Sequence, residues 1–296
     1  MPTRGFPAEN GGVIIFHDER CASYRTPGHP ERPERVTRSA RHLRETHPQW
    51  PWRVPPTAPR EALLRAHSEQ HLARLGEGKN FDADTPFHEG LPDHAARAAG
   101  AAIEGARLAL RGARAFGLMR PPGHHAERGQ AMGFCYLNSI AIAALDALAG
   151  GLARVAVWDF DGHHGNGTEA ICEADLRIRY VSAHQHPAYP GTGTISRKNI
   201  FNFPIPPGSP HLHQLGTLRR SWECVLAFDP QLILISAGFD AYARDPLLSL
   251  ALEIADYHTL GQWVAQTKIP ATAILEGGYS DDLPLLIDAF LTGWEP

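Results

Sequence analysis

The 296-residue chain predicts an α/β protein built on a doubly wound parallel sheet flanked by helices. Short apolar runs rich in β-branched and aromatic residues recur along the chain, a composition typical of buried parallel strands. Longer amphipathic stretches separate these runs, and alternation of strands with helices is typical of parallel sheets. Because the chain has no repeat and no low-complexity tract, we expect one domain over residues 1–296.

The predicted strands are apolar on both faces, and the predicted helices carry apolar residues at helical spacing. The strands are Val13–Phe16, Phe116–Met119, Val155–Phe160, Ile178–Ser182, Leu232–Ser236 and Thr272–Leu275. The helices are Asp93–Ala115, Asn138–Leu148, Leu212–Ala227 and Leu252–Gln266.

Several Pro/Gly-rich loops are expected at the ligand site, which in a doubly wound sheet lies beyond the carboxyl ends of the strands. Three of them follow predicted strands: Arg120–Gly123, Tyr189–Gly193 and Glu276–Gly278. An early segment with three prolines, Thr26–Arg35, is expected to be a long loop that rims the same face.

The composition is that of an ordinary globular protein, with 43% hydrophobic and 20% charged residues. A net charge of −4 without a run of Lys or Arg argues against nucleic acid as a partner. No segment approaches the roughly 20 apolar residues that span a bilayer, and Met1–Asn10 lacks the layout of a secretory signal. Cys21, Cys135, Cys172 and Cys224 form no CxxC pair and indicate reduced thiols in a cytoplasmic protein.

The strongest functional signal lies where the predicted strand Val155–Phe160 ends. Asp159, Asp161 and His163 follow at alternate positions, and residues two apart in an extended chain point the same way. Carboxylate and imidazole are both zinc ligands, so Asp161 and His163 suit a divalent metal. A single aspartate here would usually cap the next helix, but four titratable groups within residues 159–164 favour a site.

Asp240 follows another predicted strand, Leu232–Ser236, and is the candidate third ligand. Alone, it would more often be a helix cap or a turn residue. Together with Asp161 and His163, it completes an Asp-His-Asp set that leaves a coordination position open, as catalytic zinc requires.

Two further motifs offer catalytic side chains. His124 and His125 are adjacent on a Pro/Gly turn and suit a general base with an electrostatic partner. Asp159 and Asn166 are available to orient them. Tyr279 follows two glycines that allow a close approach to a ligand, so its hydroxyl is a candidate contact for a substrate oxygen, with simple packing as the alternative.

These motifs together resemble the histone deacetylase and acetylpolyamine amidohydrolase family, in the style of its bacterial class II branch. The resemblance implies an arginase-like α/β fold with a central, mostly parallel sheet of about eight strands flanked by helices. The matching strings span about Gly5 to Tyr279, in the family's order: RPPGHHA (120–126), GFCYLNS (133–139), DFDGHHGNGT (159–168), SAGFDA (236–241) and LEGGY (275–279), with weaker support from HPERPER (29–35) and YPGTG (189–193).

The resemblance also implies a zinc-dependent hydrolysis of an acetylated amine. His125 would act as base and then as acid, and Tyr279 would hydrogen-bond the oxyanion. His124, oriented by Asp159, would contribute electrostatically. The zinc ligands would be Asp161, His163 and Asp240.

The resemblance implies two more sets of residues. The substrate would contact the Gly133 carbonyl, the tunnel walls Phe134 and Tyr189, and the close-approach glycines Gly277 and Gly278. A structural potassium ion would be bound by Asp159, Ser182 and main-chain oxygens of Asp161, His163 and Ala183.

Some positions depart from common family patterns. Asn166 stands where class I members have Asp, so His125 has a neutral partner and should be less basic. Tyr189 replaces a frequent Phe, and Ser139 replaces a frequent Asn. Tyr279 is retained, which favours an active enzyme.

Several alternatives stay open at this point. The expected partner is an acylated amine, either a small molecule such as acetylpolyamine or acetyl-lysine in a protein. A homo-oligomer, in which a neighbouring subunit closes the tunnel, is compatible with the short chain. The competing functions are a pseudoenzyme that binds acylated ligands and a ureohydrolase with two manganese ions, which would require further carboxylates beside the strand ends.

Overall fold

The computed structural model describes residues 12–295, so the prediction for Met1–Asn10 and the start of the resemblance near Gly5 lie outside the described residues. The strands are β1 (Ile14–Phe16), β2 (Trp52–Arg53), β3 (Ala115–Gly117), β4 (Val155–Asp159), β5 (Ile178–Gln185), β6 (Ile200–Ile205), β7 (Leu232–Ala237) and β8 (Ala271–Leu275). The helices are α1 (Glu34–Thr46), α2 (Arg60–Ala66), α3 (Glu69–Arg74), α4 (Leu91–Ala109), α5 (Ser139–Ala149), α6 (Asn166–Cys172), α7 (His211–Leu226), α8 (Ile254–Ala265) and α9 (Leu283–Trp294).

The described strands form one eight-stranded sheet in the order β2-β1-β3-β8-β7-β4-β5-β6. Every neighbouring pair is parallel. From β3 the chain crosses to β4 and runs outward through β5 and β6. It then returns through β7 and β8, which lie between β3 and β4. This change of direction is typical of a doubly wound sheet. The predicted α/β fold with a central parallel sheet of about eight strands is confirmed.

The central strands are buried on both faces, which explains why their sequences lack a polar face. β4 and β7 are fully buried along their lengths. Trp158 of β4 packs against Trp222 of α7 at a ring-centroid distance of 4.7 Å and donates its indole N–H to Ser221. These contacts attach a helical layer to the middle of the sheet.

The strand register brings the carboxyl ends of the central strands to one edge. Asp159, the last residue of β4, lies beside Ser182 of β5 and Ser236 of β7, and Ser236 lies beside Ile274 of β8. The loops that follow β4, β7 and β8 therefore leave the sheet at the same level. This edge is where a ligand site is expected.

The boundaries of one predicted helix are wrong. The stretch Asp93–Ala115 is helical only to Ala109, because the chain turns at Gly112, with φ of 87°, and Ala115 already begins β3. The early loop Thr26–Arg35 is confirmed only as far as Pro33, since Glu34 and Arg35 belong to the first turn of α1.

The strands that were not predicted lie at the two edges of the sheet. β2 has only two residues, and β6 alternates buried with partly exposed residues and contains Pro204. Pro is tolerated at a sheet edge, where no partner needs its missing N–H. Of the helices, α1, α2, α3, α6 and α9 were also not predicted.

Across residues 12–295, none of the helices combines the length and the apolar character required to traverse a bilayer.

A buried ion pair ties the early loop to the segment after β3. Arg120 is fully buried and donates to both carboxylate oxygens of Glu31, with Nη2 2.8 Å from Oε2. Its Nη1 donates to the carbonyl oxygen of Cys21 at 2.9 Å, and its guanidinium lies 3.9 Å from the centroid of the Tyr24 ring. The pair fixes the start of the loop that carries His124 and His125.

We predict that Arg120→Gln lowers the free energy of unfolding by about 3 kcal/mol or more. The buried Glu31 carboxylate loses the cation that contacts both of its oxygens and keeps the longer contact with Arg35, at 3.4 Å. Urea denaturation measures the change. Arg25→Gln removes an exposed ion pair with Glu34 and should cost less than about 1 kcal/mol. Equal effects of the two substitutions would contradict this account of Arg120.

Candidate active site

Asp161, His163 and Asp240 meet at the carboxyl edge of the sheet. One potential ligand atom from each residue lies within 4.8 Å of the others, and all three residues are buried. His163 Nδ1 is 2.7 Å from Asp240 Oδ2 and 3.4 Å from Asp161 Oδ1. The side chains come from two different loops, after β4 and after β7. Two carboxylates and one imidazole are a donor set that suits zinc.

The main chain orients both carboxylates rather than leaving them to cap a helix. Asp161 accepts from the N–H groups of His163 at 2.8 Å and Gly277 at 2.7 Å. Asp240 accepts from the N–H of Gly162 at 2.6 Å. The N-cap of α6 is Gly165 and that of α8 is Glu253, so neither Asp161 nor Asp240 caps the helix that follows it.

Gly277 must be a glycine because it lies directly over the two carboxylates. A Cβ atom at this position would be 2.3 Å from Asp240 Oδ2 and 2.5 Å from Asp161 Oδ2. Both distances are far below van der Waals contact, so any side chain here would displace the carboxylates. Gly278 adopts a φ of 113°, a conformation that L side chains rarely adopt.

The electrostatics of this cluster favour a cation. Burial and the neighbouring Asp161 carboxylate raise the pKa of Asp240 above its usual range. Burial would lower the pKa of His163, but the Asp240 and Asp161 carboxylates outweigh it and raise the pKa to about 10. Two buried carboxylates thus need positive charge, which a proton on His163 or a divalent ion can provide.

His124 and His125 lie side by side, with ring centroids 4.1 Å apart, but they have different partners. His124 Nδ1 is 3.1 Å from Asp159 Oδ2, and its Nε2 is 3.8 Å from Asp161 Oδ1. His125 Nδ1 is 2.9 Å from the amide oxygen of Asn166. The structure therefore pairs each histidine with the residue that was expected to orient it.

These partners push the pKa values of the two histidines apart. Burial would lower the pKa of His124, but the Asp161 and Asp159 carboxylates raise it to about 10. Burial and the positive charges of His124 and His163 hold the pKa of His125 well below its usual range. A charged His124 beside a neutral His125 gives the site one fixed cation and one available base.

Glu276, directly after β8, holds the histidine loop in place. Its Oε2 accepts from the main-chain N–H groups of Gly123 at 2.6 Å and His124 at 3.1 Å, and its Oε1 accepts from Ser236 Oγ at 3.0 Å. Burial raises the pKa of Glu276 to about 7, against the opposing charge of His124. The carboxyl group links the loops after β3 and β8 to β7.

Tyr279 is buried beside this cluster and is held from both sides. Its N–H donates to Asp245 Oδ2 at 2.7 Å. The Arg35 guanidinium lies 4.8 Å from its ring centroid and donates to the Gly278 carbonyl at 2.7 Å and to the Glu276 carbonyl. The ring is therefore fixed between a cation and the close-approach glycines.

The residues expected to line the tunnel pack against Tyr279 and His125. Phe134 packs edge-on against Tyr279, with centroids 5.8 Å apart, and Tyr189 packs edge-on against His125 at 5.1 Å. Gly133 adopts a φ of 56°, and a Cβ atom there would be 2.6 Å from His125 Cδ2. Phe134 also has a positive φ of 69°, which is unusual for an aromatic residue and typical of functional loops.

Three of the residues expected to bind potassium, Asp159, Ser182 and Ala183, lie on the neighbouring strands β4 and β5. Asp159 and Ser182 are register partners on β4 and β5, and Ala183 follows Ser182. Asp159 Oδ2 accepts from the Tyr180 hydroxyl at 2.9 Å, and Ser182 Oγ is 2.8 Å from His184 Nδ1. Potassium binding stays a prediction.

Several residues that complete the site were not singled out from the sequence. Glu276 and Arg35 lie within the quoted strings LEGGY and HPERPER, and Glu276 follows a strand as Asp161 does, so a signal existed. Tyr180 lies inside a buried strand and Asp245 in a loop, where nothing local indicates a role. Asp245 reaches the site through the main-chain N–H of Tyr279.

The chain is similar in sequence and structure to proteins of the histone deacetylase family. The family model of the histone deacetylase domain matches residues 29–290. A probable deacetylase of Archaeoglobus fulgidus is 37% identical over 90% of this chain and 81% of that protein. A histone deacetylase-like amidohydrolase of Pseudomonas aeruginosa is 36% identical over 86% of this chain and 73% of its own length. The crystal structure of an acetylpolyamine aminohydrolase from Burkholderia pseudomallei superposes with a TM-score of 0.87 at 26% identity, covering 96% and 98% of the two chains.

We predict that Gly277→Ala disrupts the three-ligand cluster, because the new Cβ collides with both carboxylates. Zinc retained after dialysis, measured by elemental analysis, should fall at least about tenfold. Gly129→Ala is the matched control, since a Cβ atom there meets open space. Equal zinc retention in the two variants would contradict the close-approach role of Gly277.

We also predict that metal affinity at this cluster rises with pH. A metal-ligating imidazole must be neutral, and His163, with its pKa raised to about 10, is protonated at neutral pH. Each ion bound therefore displaces a proton, and zinc affinity should increase up to about tenfold per pH unit below pH 10. Chelator competition between pH 6 and pH 8 measures this, and a pH-independent affinity would refute the assignment of His163.

Proposed function

The chain belongs to the histone deacetylase domain family, and from this premise we propose that it is a zinc-dependent amidohydrolase that removes an acetyl or related acyl group from an amine. The observation that carries the proposal is the convergence of Asp161, His163 and Asp240 beside the paired histidines and Tyr279. Relatives named as deacetylases, which align with most of this chain, support the hydrolytic class. The zinc dependence and the substrate are the parts that require experiment.

The donor set supports zinc as the metal. Asp161, His163 and Asp240 offer two oxygens and one nitrogen, and their buried negative charge is balanced by a divalent cation. When bound, zinc supplies a Lewis acid that polarises the acyl carbonyl and lowers the pKa of water.

The remaining side chains suit the proton transfers of amide hydrolysis. His125 is neutral, and with Nδ1 engaged by Asn166 its Nε2 is free to take a proton from the attacking water and pass it to the leaving amine nitrogen. His124, charged and paired with Asp159, stabilises the negative charge that develops on the acyl oxygen. The Tyr279 hydroxyl donates a hydrogen bond to the same oxygen.

A small acylated amine is the substrate class that we propose, because one structural neighbour is an acetylpolyamine aminohydrolase. The rim of the site supports a cationic ligand. Asp82 and Asp84 are exposed in the loop that contacts Phe134 through Thr85. Burial is the main cause that raises the pKa of Tyr189, and the Asp82 and Asp84 carboxylates add to it. Two exposed carboxylates near the rim would attract a cationic amine. Phe134 and Tyr189 would form the walls around the acyl chain.

Two further parts of the proposal follow from the residues present. We include a structural potassium site that draws on Asp159 and Ser182, and their pairing on neighbouring strands supports it. The four cysteines are free thiols, which suits a cytoplasmic protein.

We predict that the zinc-loaded protein hydrolyses acetylated amines, with acetylpolyamines turned over faster than acetyl-lysine peptides. Product amine release, compared across both substrate sets, measures this. Tyr279→Phe removes the hydroxyl and should lower kcat about 100-fold or more. Tight acyl-ligand binding without turnover would favour the pseudoenzyme, and two metal ions per chain at full occupancy would favour a ureohydrolase.

We predict that ligand and base substitutions separate metal binding from turnover. Asp240→Ala should lose zinc, because one of three ligands is removed. His125→Ala should retain zinc and lose activity by about 100-fold or more, because only the base is missing. Elemental analysis and a deacylation assay on the same preparations compare them, and an unchanged rate in His125→Ala would assign the base elsewhere.

A further inference from the structure

The partner of His125 is itself held by a carboxylate that the three-ligand cluster does not include. Asn166 Oδ1 is 2.9 Å from His125 Nδ1, and Asn166 Nδ2 donates to Glu127 Oε1, also at 2.9 Å. Glu127 lies two residues after His125 and is partly buried. The three side chains form a chain of hydrogen bonds from the rim of the site to the proposed base.

The orientation of the Asn166 amide follows from the chemistry of its neighbours. Its nitrogen end contacts the Glu127 carboxylate and the Met132 thioether, 3.4 Å from Sδ, and both groups accept hydrogen bonds. The amide oxygen must therefore face His125. An oxygen accepts only from a protonated ring nitrogen, so it selects the His125 tautomer with hydrogen on Nδ1 and a lone pair on Nε2.

Glu127 is anchored independently of Asn166. Its carbonyl oxygen accepts from Nδ1 of His67 at 2.9 Å, and its N–H donates to the carbonyl of Gln130 at 2.9 Å. His67 Nε2 accepts from the N–H of Asn138, which identifies Nδ1 as the donor. The main chain that carries the carboxylate is thus fixed by a buried histidine from the α2–α3 segment.

We propose that Glu127 is a positioning residue that locks the Asn166 amide and, through it, the catalytically competent tautomer of His125. Asn166 lacks the charge of an aspartate, which would enforce the same tautomer by itself. The Glu127 carboxylate, which accepts from Asn166, fixes the orientation of the amide, a constraint that the charge of an aspartate would make unnecessary. The inference rests on the proposed hydrolytic function for its kinetic consequences, but the hydrogen-bond arrangement is independent of that function.

The first test is Glu127→Ala in the zinc-loaded protein. Without the carboxylate, the Asn166 amide can rotate and present its NH₂ group to His125. We expect kcat to fall about tenfold, as for other orienting partners, with KM and zinc content unchanged. Glu61→Ala, which removes an exposed carboxylate on α2, is the matched control and should leave kcat unchanged. An unchanged kcat in Glu127→Ala would overturn the proposal.

The second test is a double-mutant cycle of Glu127→Gln with Asn166→Asp. The effect of Glu127→Gln on kcat should have opposite signs in the two backgrounds. In the wild type, Glu127→Gln should lower kcat, because a carboxamide can donate as well as accept and no longer dictates the Asn166 orientation. In an Asn166→Asp background, the new carboxylate faces Glu127, and the two negative charges repel. Glu127→Gln should then raise kcat, by removing the repulsion and donating to the new carboxylate. A loss of the same size in both backgrounds would show that Glu127 acts through folding alone.

A third measurement separates this proposal from the proposed function. Two-bond ¹H–¹⁵N spectra of protein labelled at the histidine ring nitrogens report tautomers without any turnover, and the His125→Ala spectrum assigns the His125 signals. We expect the Nδ1–H tautomer in the wild type and a mixture of tautomers in Glu127→Ala. An unchanged tautomer in Glu127→Ala would refute the role of Glu127. Expected spectra from a protein without hydrolytic activity would refute only the proposed function.

Discussion

The carboxylates of Asp161 and Asp240 are buried together where β4 and β7 end, and much of the surrounding structure compensates for this placement. Like charges that lose contact with water are unstable unless cations or hydrogen-bond donors face them. His163 lies between the carboxylates, and the main-chain N–H groups of Gly162 and Gly277 point at their oxygens. The two carboxylates therefore need positive charge beside them.

The buried carboxylates also give the adjacent residues His124 and His125 different pKa values. The Asp161 and Asp159 carboxylates raise the pKa of His124 against the effect of burial. Burial and the positive charges of His124 and His163 lower the pKa of His125. Two chemically identical side chains, adjacent in sequence, thereby acquire different protonation states. The difference depends on partners at the end of β4 and in the segment that follows it, not on the histidines themselves.

Residues around the site hold the catalytic side chains in fixed orientations. Glu276 binds the histidine loop, Arg35 and Asp245 hold Tyr279, and Glu127 orients Asn166. These contacts join segments that are far apart in sequence and follow different strands, with Arg35 contributing from α1. Rotamers fixed by such contacts hold catalytic groups within the narrow geometric limits that hydrolysis requires.

The sequence by itself determined the buried parallel strands and the order of the chemically important side chains. Apolar runs without a polar face predicted β4, β5, β7 and β8, because strands covered on both sides contain little else. The Asp-His-Asp set and the paired histidines were also predicted, since local spacing and family strings carry that information. The alternating edge strand β6 and most amphipathic helices were missed, because edge strands are weakly patterned and helix ends depend on packing.

Only the tertiary structure decided which groups share a contact. Asp161 and Asp240 are 79 positions apart in the numbering, and their meeting follows from the register of β4 with β7. Glu127, Glu276 and Arg35 are ordinary charged residues in sequence, and their roles arise from burial beside the site. The physical reason is that the pKa and orientation of a side chain depend on neighbours brought together by folding, which local sequence does not encode.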